Sequence, residues 1–515
     1  MAVSFFGMPP HSRILDMVSR GIIEDPAVFL SQNQDRLIEN TYLSGERASG
    51  AFRAVVLLVE FPDQVNRVEK SFFNDMMNSQ GLDFKRKYPV STNVSSVKEY
   101  YNFVSNGQFD ITFDVYGWFE MPHEYAYYTG HKSGLYAPYP NNAQKLTQDA
   151  IAAADPVVDF SPYDNDENGS VDFLLVIHTG PGAEFTGSNE DIWSHKWNIP
   201  MVIADGKRIF QYSMQPEYWE QDYDMTIGVY CHELGHLIFG LPDLYDTSGQ
   251  SSGVGYWALM GSGSWNDEKA KYGIPEESGY GGAPAEMCAW SKVKNGWVIP
   301  EEITGNVDNH ILNRERILRY KRVGKTSEYF LVEFKESNKY NDYLPGKDGV
   351  LIYHVDNSKY GNTQPFIPPS DPLYHYQVAV MQKDNLWELE RKVNRGDKGD
   401  LYYSGNIFNA MSKPNNQFYD GTNGIALSEI HIESGNCMVV LNDIEFDLYV
   451  QYFPGNDKER VFIKTHNQKI PTVTINDLFL ETFRVREGLH YFDITSEQEK
   501  NVKIFGIAFE ELIKE

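Results

Sequence analysis

Cys231-His232-Glu233-Leu234-Gly235-His236, then Leu237-Ile238-Phe239 and Gly240-Leu241-Pro242-Asp243, is the stretch on which the reading of this sequence turns. Two histidines four residues apart on a helix lie on one face about a turn from each other, so both imidazoles reach a single tetrahedral ion. Ile227, Cys231, Leu234 and Ile238 recur at intervals of three and four, giving an apolar stripe that anchors such a helix in a core. Thr226, or Asp224 before it, is placed to cap the start, and Gly240 with Pro242 supplies the stop. Glu233 follows the first histidine, so its carboxylate stands beside the metal without binding it, where it can take a proton from an activated water. Such a centre needs a third protein ligand and one open position. A glycine that ends the helix lets the chain turn back under the metal, and Asp243 sits where that chain arrives. A chance match in a buried amphipathic helix would account for the five residues His232 to His236 but not for Gly240 and Asp243.

With Gly240 to Asp246, and with Ala258-Leu259-Met260-Gly261-Ser262-Gly263-Ser264-Trp265, these residues resemble the immune inhibitor A family of secreted, metzincin-like zinc metallopeptidases. The resemblance implies zinc on His232 and His236, Glu233 as general base, and a methionine turn at Met260 forming a floor beneath the metal. Metzincin-like spacing has two residues between the second histidine and the glycine, whereas Leu237, Ile238 and Phe239 make three. Asp243 still follows Gly240 by three positions and is the preferred third ligand, with Asp246 as the alternative; a longer or bulged last helical turn would absorb the difference. The likeness continues upstream through Val55 to Asp63, Ser96 to Tyr101, Asp164 to Asp172 and Asp191 to Trp197. Downstream it runs through Ala289 to Lys292, Asn295 to Trp297, Gly349 to Asp356 and Gly396 to Leu401. It implies an α+β fold, with a metzincin-like zinc protease catalytic domain and β-rich C-terminal extensions. The implied activity is that of a zinc-dependent endopeptidase acting on protein or peptide substrates. The rival from another class is an inactive protease-like scaffold serving as a surface binding protein, and a third possibility is a zymogen held inactive by its first residues.

A chain of 515 residues is too long for one core. Its formal charge of -27 argues against nucleic acid or anionic membrane as partners, because phosphates would be repelled. Three cysteines, Cys231, Cys288 and Cys437, do not make a disulfide framework, and Cys231 points about 100° away from His232 on a helix. No apolar run of about 20 residues spans a membrane. Met1 to Pro10 lacks a basic n-region and a long apolar core, so it does not read as a signal peptide, although the resemblance implies a secreted protein. A monomer is expected.

Four segments follow: 1–48, a propeptide-like or bracing segment; 49–300, the catalytic domain; 301–445, a β-rich subdomain packed on it; and 446–515, a small all-β domain of short strands. Ser96 with Glu99 forms a capping box that starts a helix ending near Gly107, and Asn142 to Ala154 is a second helix. Asp172 to His178 is a strand buried on both faces.

Asp164, Asp166, Asn168 and Asp172 alternate around Gly169 as in a calcium loop, but Leu175 stands where such a loop needs a glutamate. Calcium there competes evenly with an Asx-rich turn that needs no ion. Asp397 and Asp400 are weaker candidates. His178, His195 and His354 read as hydrogen-bonded structural histidines, His195 near the cleft. Tyr256 and Trp257 precede Met260; Tyr256 either donates to the oxyanion of a peptide-hydrolysis intermediate or, as the safer reading, packs under the methionine turn.

Overall fold

The computed structural model describes residues 6–20, 22, 48–267, 279–303, 307–321, 327–410, 412–433, 436–442, 446–452, 459–465, 473–475, 478–480, 482–486, 489–495, 502–504 and 507–508. Most of the 1–48 segment lies outside the described residues.

The first unit is a six-stranded mixed sheet: β1 (Phe6–Gly7), β2 (Gly50–Glu60), β3 (Phe109–Glu120), β4 (Leu174–Pro181), β5 (His195–Ala204) and β6 (Lys207–Tyr218), in the order β1-β5-β6-β4-β2-β3. Strands β3, β2, β4 and β6 run parallel, while β5 is antiparallel to β6 and β1 antiparallel to β5. Parallel strands need cover on both faces, and β2 shows how the sequence provides for it. Val56 and Leu58 join a core with Leu234 and Leu237, while Val55, Leu57 and Val59 join a second core with Leu146, Ala150 and Ile151.

Six helices among the described residues are used below: α1 (Ser12–Ser19), α2 (Lys70–Asn78), α3 (Val97–Val104), α4 (Ala143–Ala154), α5 (Ile227–Phe239) and α6 (Ala289–Lys294). The Ser96 hydroxyl accepts from Glu99 N–H at 3.1 Å and caps α3; Asn142 caps α4. α5 carries the histidines, is buried along its whole length, and lies against β6, β5 and β1. Its start differs from the sequence reading. Thr226 makes no cap, because its hydroxyl goes to Tyr280 O, and Asp224 accepts from the amides of Trp219, Glu220 and Gln221. Ile227 N–H is satisfied instead by Asn93 Oδ1 at 2.9 Å, from a loop 134 residues away.

A second, five-stranded sheet is built from β7 (Glu301–Ile303), β9 (Leu318–Lys321), β10 (Glu328–Lys335), β11 (Gly349–Asp356) and β12 (Val378–Val380), and a three-stranded sheet from β8 (Val307–Leu312), β13 (Leu427–Glu433) and β14 (Asn436–Asn442). Tyr329, Leu331, Leu351 and Tyr353 enter the same core as Leu234 and Met260, so the second sheet buttresses the α5 layer. Beyond residue 445 the described residues form two four-stranded antiparallel sheets. Among the described residues no helix is long and apolar enough to cross a membrane. All three cysteines are free and buried.

Candidate metal centre and cleft

Gly240 takes the left-handed conformation (φ 58°) that ends α5, and the closure there is wide, with Leu241 N–H donating to Gly235 O at 3.2 Å. The chain then doubles back. Leu241 O lies 2.6 Å from His236 Nδ1, and two residues later Asp243 Oδ1 stands 3.2 Å from both His232 Nε2 and His236 Nε2. From the other side the 258–261 turn brings Leu259 O to 3.0 Å from His232 Nδ1. Each Nδ1–H is thereby spent on a backbone carbonyl, which leaves each Nε2 as a bare lone pair. The two lone pairs face each other at 3.1 Å. Neutral acceptors that close repel unless a cation lies between them. In a tetrahedron with bonds of about 2.0 Å, ligand atoms lie about 3.3 Å apart, close to the edges of this triangle. Asp243 Oδ2 and both oxygens of Glu233 are buried without hydrogen-bond partners, a costly arrangement for protein alone. The donor set therefore fits a tetrahedral divalent ion.

His232, Glu233 and His236 are fully buried. Burial, then the Asp243 and Glu184 carboxylates, push the proton affinity of Glu233 up, and a cation beside it is what would hold it charged. Glu184 stands near this group as well. It is fully buried, accepts from Ser194 N–H (2.9 Å) and Ser194 Oγ–H (2.5 Å), and burial raises its pKa to about 7. Nothing in its local sequence marks it. Met260 packs beneath α5 at Gly235.

The chain's own segment Phe6 to His11 packs beside the centre. β1 pairs with β5 in the register Phe6 to Lys196 and Gly7 to His195. The run is held at almost every residue. Tyr245 O–H donates to Gly7 O at 2.8 Å, Met8 N–H to Ser194 O at 3.2 Å, and Trp193 Nε1–H to Met8 O at 2.9 Å. Trp265 Nε1–H donates to Pro9 O at 2.8 Å and Arg395 to Pro10 O at 3.1 Å. Met8 is fully buried.

Other residues named from sequence lie elsewhere. Asp246 accepts from Ser248 N–H and Oγ–H and from Ser251 Oγ–H, away from the histidine pair. Tyr256 is buried with its N–H on Arg395 O and its carbonyl accepting from Asn266. Asp164, Asp166 and Asp172 do converge, but Lys207 Nζ lies 2.6 Å from Asp164 Oδ2 and supplies a positive charge. Asn168 N–H turns back to Asp166, and burial raises the Asp172 pKa to about 6. Asp397 caps a single turn, and Asp400 accepts from Trp257 Nε1–H at 2.7 Å. His178, His195 and His354 are buried and bonded to Thr179 O, to Trp193 O and Tyr212 O–H, and to Glu328 respectively. A cavity of about 410 Å³ near Glu390 and Trp387 contains none of the centre's residues.

Residues 43–298 match the family described as the immune inhibitor A peptidase M6 catalytic domain; the match stops short of the downstream stretches up to Leu401. The pre-pro-metalloprotease PrtV of Vibrio cholerae serotype O1 is 27% identical over 308 residues, covering 49% of this chain and 31% of that protein. Immune inhibitor A of Bacillus thuringiensis subsp. alesti is 30% identical over 261 residues, covering 41% and 36%. The chain thus spans about a third of the length of these curated relatives, with 31% and 36% covered. Through residues 43–298 the chain belongs to the immune inhibitor A peptidase M6 family.

Proposed function

We propose that the chain is a zinc-dependent endopeptidase of metzincin-like architecture, held latent while Phe6 to His11 occupies the cleft. The observation that carries this reading is the triangle of His232 Nε2, His236 Nε2 and Asp243 Oδ1, with edges of 3.1–3.2 Å, beside an unpaired buried Glu233. A zinc ion bound by these three residues would polarise a peptide carbonyl and make water acidic enough to attack it. Glu233 takes the proton from the attacking water and later passes it to the departing amide nitrogen. Leu259 O and Leu241 O hold the imidazoles in the required tautomer.

Endopeptidase rather than exopeptidase action is supported by the path of the bound segment. Chain lies on both sides of the Gly7–Met8 bond, along β5 on one side and on toward α1 on the other. A substrate strand would add to the β5 edge in the same way. In this reading 49–300 is the catalytic domain, 301–445 its β-rich support and 446–515 a separate β domain. Export is part of the reading, as is a monomeric state. Calcium at Asp164, Asp166, Asn168 and Asp172 is its weakest part, since Lys207 already offsets that charge. A pure binding scaffold has no use for a base held against the metal.

The test is metal content and casein hydrolysis on the full chain, before and after limited proteolysis, for wild type and Glu233→Ala. One zinc in both proteins, with hydrolysis only by cut wild type and abolished by a chelator, is the expected result. Zinc in both without hydrolysis in either favours the scaffold.

A further inference from the structure

Two contacts on one peptide bond bear on the chemistry. The Gly7–Met8 peptide accepts at its carbonyl oxygen from Tyr245 O–H, at 2.8 Å, and its N–H donates to Ser194 O, next to β5, at 3.2 Å. The peptide is thus held at both ends, and its carbonyl is the end on which hydrolysis builds charge. Negative charge develops on the carbonyl oxygen as water adds, and the nitrogen must receive a proton before it leaves. Tyr245 is itself well placed to stay put. It lies two residues beyond Asp243, is nearly buried, and its ring centroid is 6.3 Å from that of His232. The neighbouring Leu244 is tied through its N–H to Met260 O at 2.8 Å, so the turn that seats Asp243 also seats Tyr245. Tyr256, the tyrosine adjacent to the methionine turn in sequence, faces other partners.

Resting on the endopeptidase reading above, we propose that Tyr245 is a catalytic residue whose hydroxyl donates to the carbonyl oxygen of the bond being cut. Water forms the new carbon–oxygen bond and gives a proton to Glu233. The carbonyl π pair moves onto the oxygen, which Tyr245 holds as an oxyanion. Collapse restores the carbonyl, breaks the carbon–nitrogen bond and delivers the Glu233 proton to nitrogen. In this proposal the segment Phe6 to His11 stands in for a substrate, with Gly7 in the place of the residue that contributes the carbonyl and Met8 in that of the amine.

The experiment compares wild type and Tyr245→Phe, both full chains activated by the same limited proteolysis. It measures kcat and KM on a peptide containing a Gly–Met bond, inhibition by a phosphinic analogue of that bond, and zinc content. The expected result is a kcat lower by about 10²- to 10³-fold with KM within a few-fold, since removing one oxyanion donor has that effect. Affinity for the tetrahedral phosphinic analogue falls with kcat, and zinc stays at one per chain. An unchanged kcat in Tyr245→Phe beside an active wild type overturns this inference alone. Loss of zinc in the variant also overturns it, because the tyrosine would then be supporting Asp243. A zinc-loaded wild type that stays inactive after cutting overturns the endopeptidase reading, and this inference with it.

Discussion

Gly235 lies directly over Met260: a β-carbon added at Gly235 would come within 2.5 Å of Met260 Sδ and 3.2 Å of its methyl group. The glycine between the two histidines is therefore a packing requirement of the floor beneath the centre. Gly235→Ala must displace Met260, whose turn also supplies Leu259 O to His232. Overpacking of this kind costs about 1–3 kcal/mol. The variant is expected to melt several degrees lower and to bind zinc more weakly, by calorimetry and metal competition. An unchanged Tm and zinc affinity would show that Met260 yields freely.

Asp243 and Asp246 are separated by two residues but have different surroundings. Asp243 meets both Nε2 atoms at 3.2 Å, whereas Asp246 is consumed by Ser248 and Ser251. Asp243→Asn should weaken zinc binding by on the order of 10²-fold or more, beyond the loss usual for outer groups around a metal. Asp246→Asn should leave zinc in place and cost about 1 kcal/mol through its turn. Metal titration of the two purified variants checks the pair, and the reverse ranking would transfer the ligand role to Asp246.

What the sequence displays is local. The α5 periodicity, the Gly240 stop and the doubled-back Asp243 depend on residues close together in the chain, and so do the Ser96 and Asn142 caps and the apolar run of β4. What it conceals is brought from afar. Asn93 caps α5 in place of Thr226, and Lys207 crosses from β6 to pair with Asp164 of the acidic loop. Gly7 pairs with His195, and no pattern in a two-residue strand announces that partner. Tyr245 lies within the Gly240 to Asp246 stretch, yet its place beside the centre depends on how the chain turns after Gly240, which spacing alone does not encode.

In the proposed latent arrangement Met8 is fully buried and its carbonyl is held by Trp193 Nε1–H. Met8→Asp places an unpaired carboxylate in that site beside Glu233 and Glu184, at a cost of several kcal/mol. The segment should leave the cleft, and the uncut full chain should gain casein-hydrolysing activity by tenfold or more. Trp193→Phe, which removes the donor to Met8 O while keeping an aromatic ring, should give a smaller rise. If uncut Met8→Asp stays silent while its cut form matches cut wild type, the segment is not held by Met8.

The second sheet is joined to the first unit by a buried ion cluster. Lys292 on α6 contacts Glu286 at 2.9 Å and Glu333 of β10 at 3.0 Å, and Lys335 contacts Glu333 at 3.0 Å. Burial alone would raise the Glu333 pKa, but Lys335 and Lys292 together pull it down from 4.5 to about 2. A carboxylate with a lowered folded pKa stabilises the fold fully above its unfolded value, and that contribution is lost as pH falls through the folded value. The window here runs from about pH 4.5 down to about pH 2. Lys292→Met leaves Glu286 and Glu333 underpaired, a loss of about 3–5 kcal/mol at neutral pH. Acid then protonates the stranded carboxylates in the variant, while in the wild type it removes the stabilising charge. The Tm gap between the two proteins should therefore be widest near pH 7 and narrow steadily below pH 4.5; a gap constant from pH 7 to pH 3 would mean that Lys292 contributes packing rather than charge.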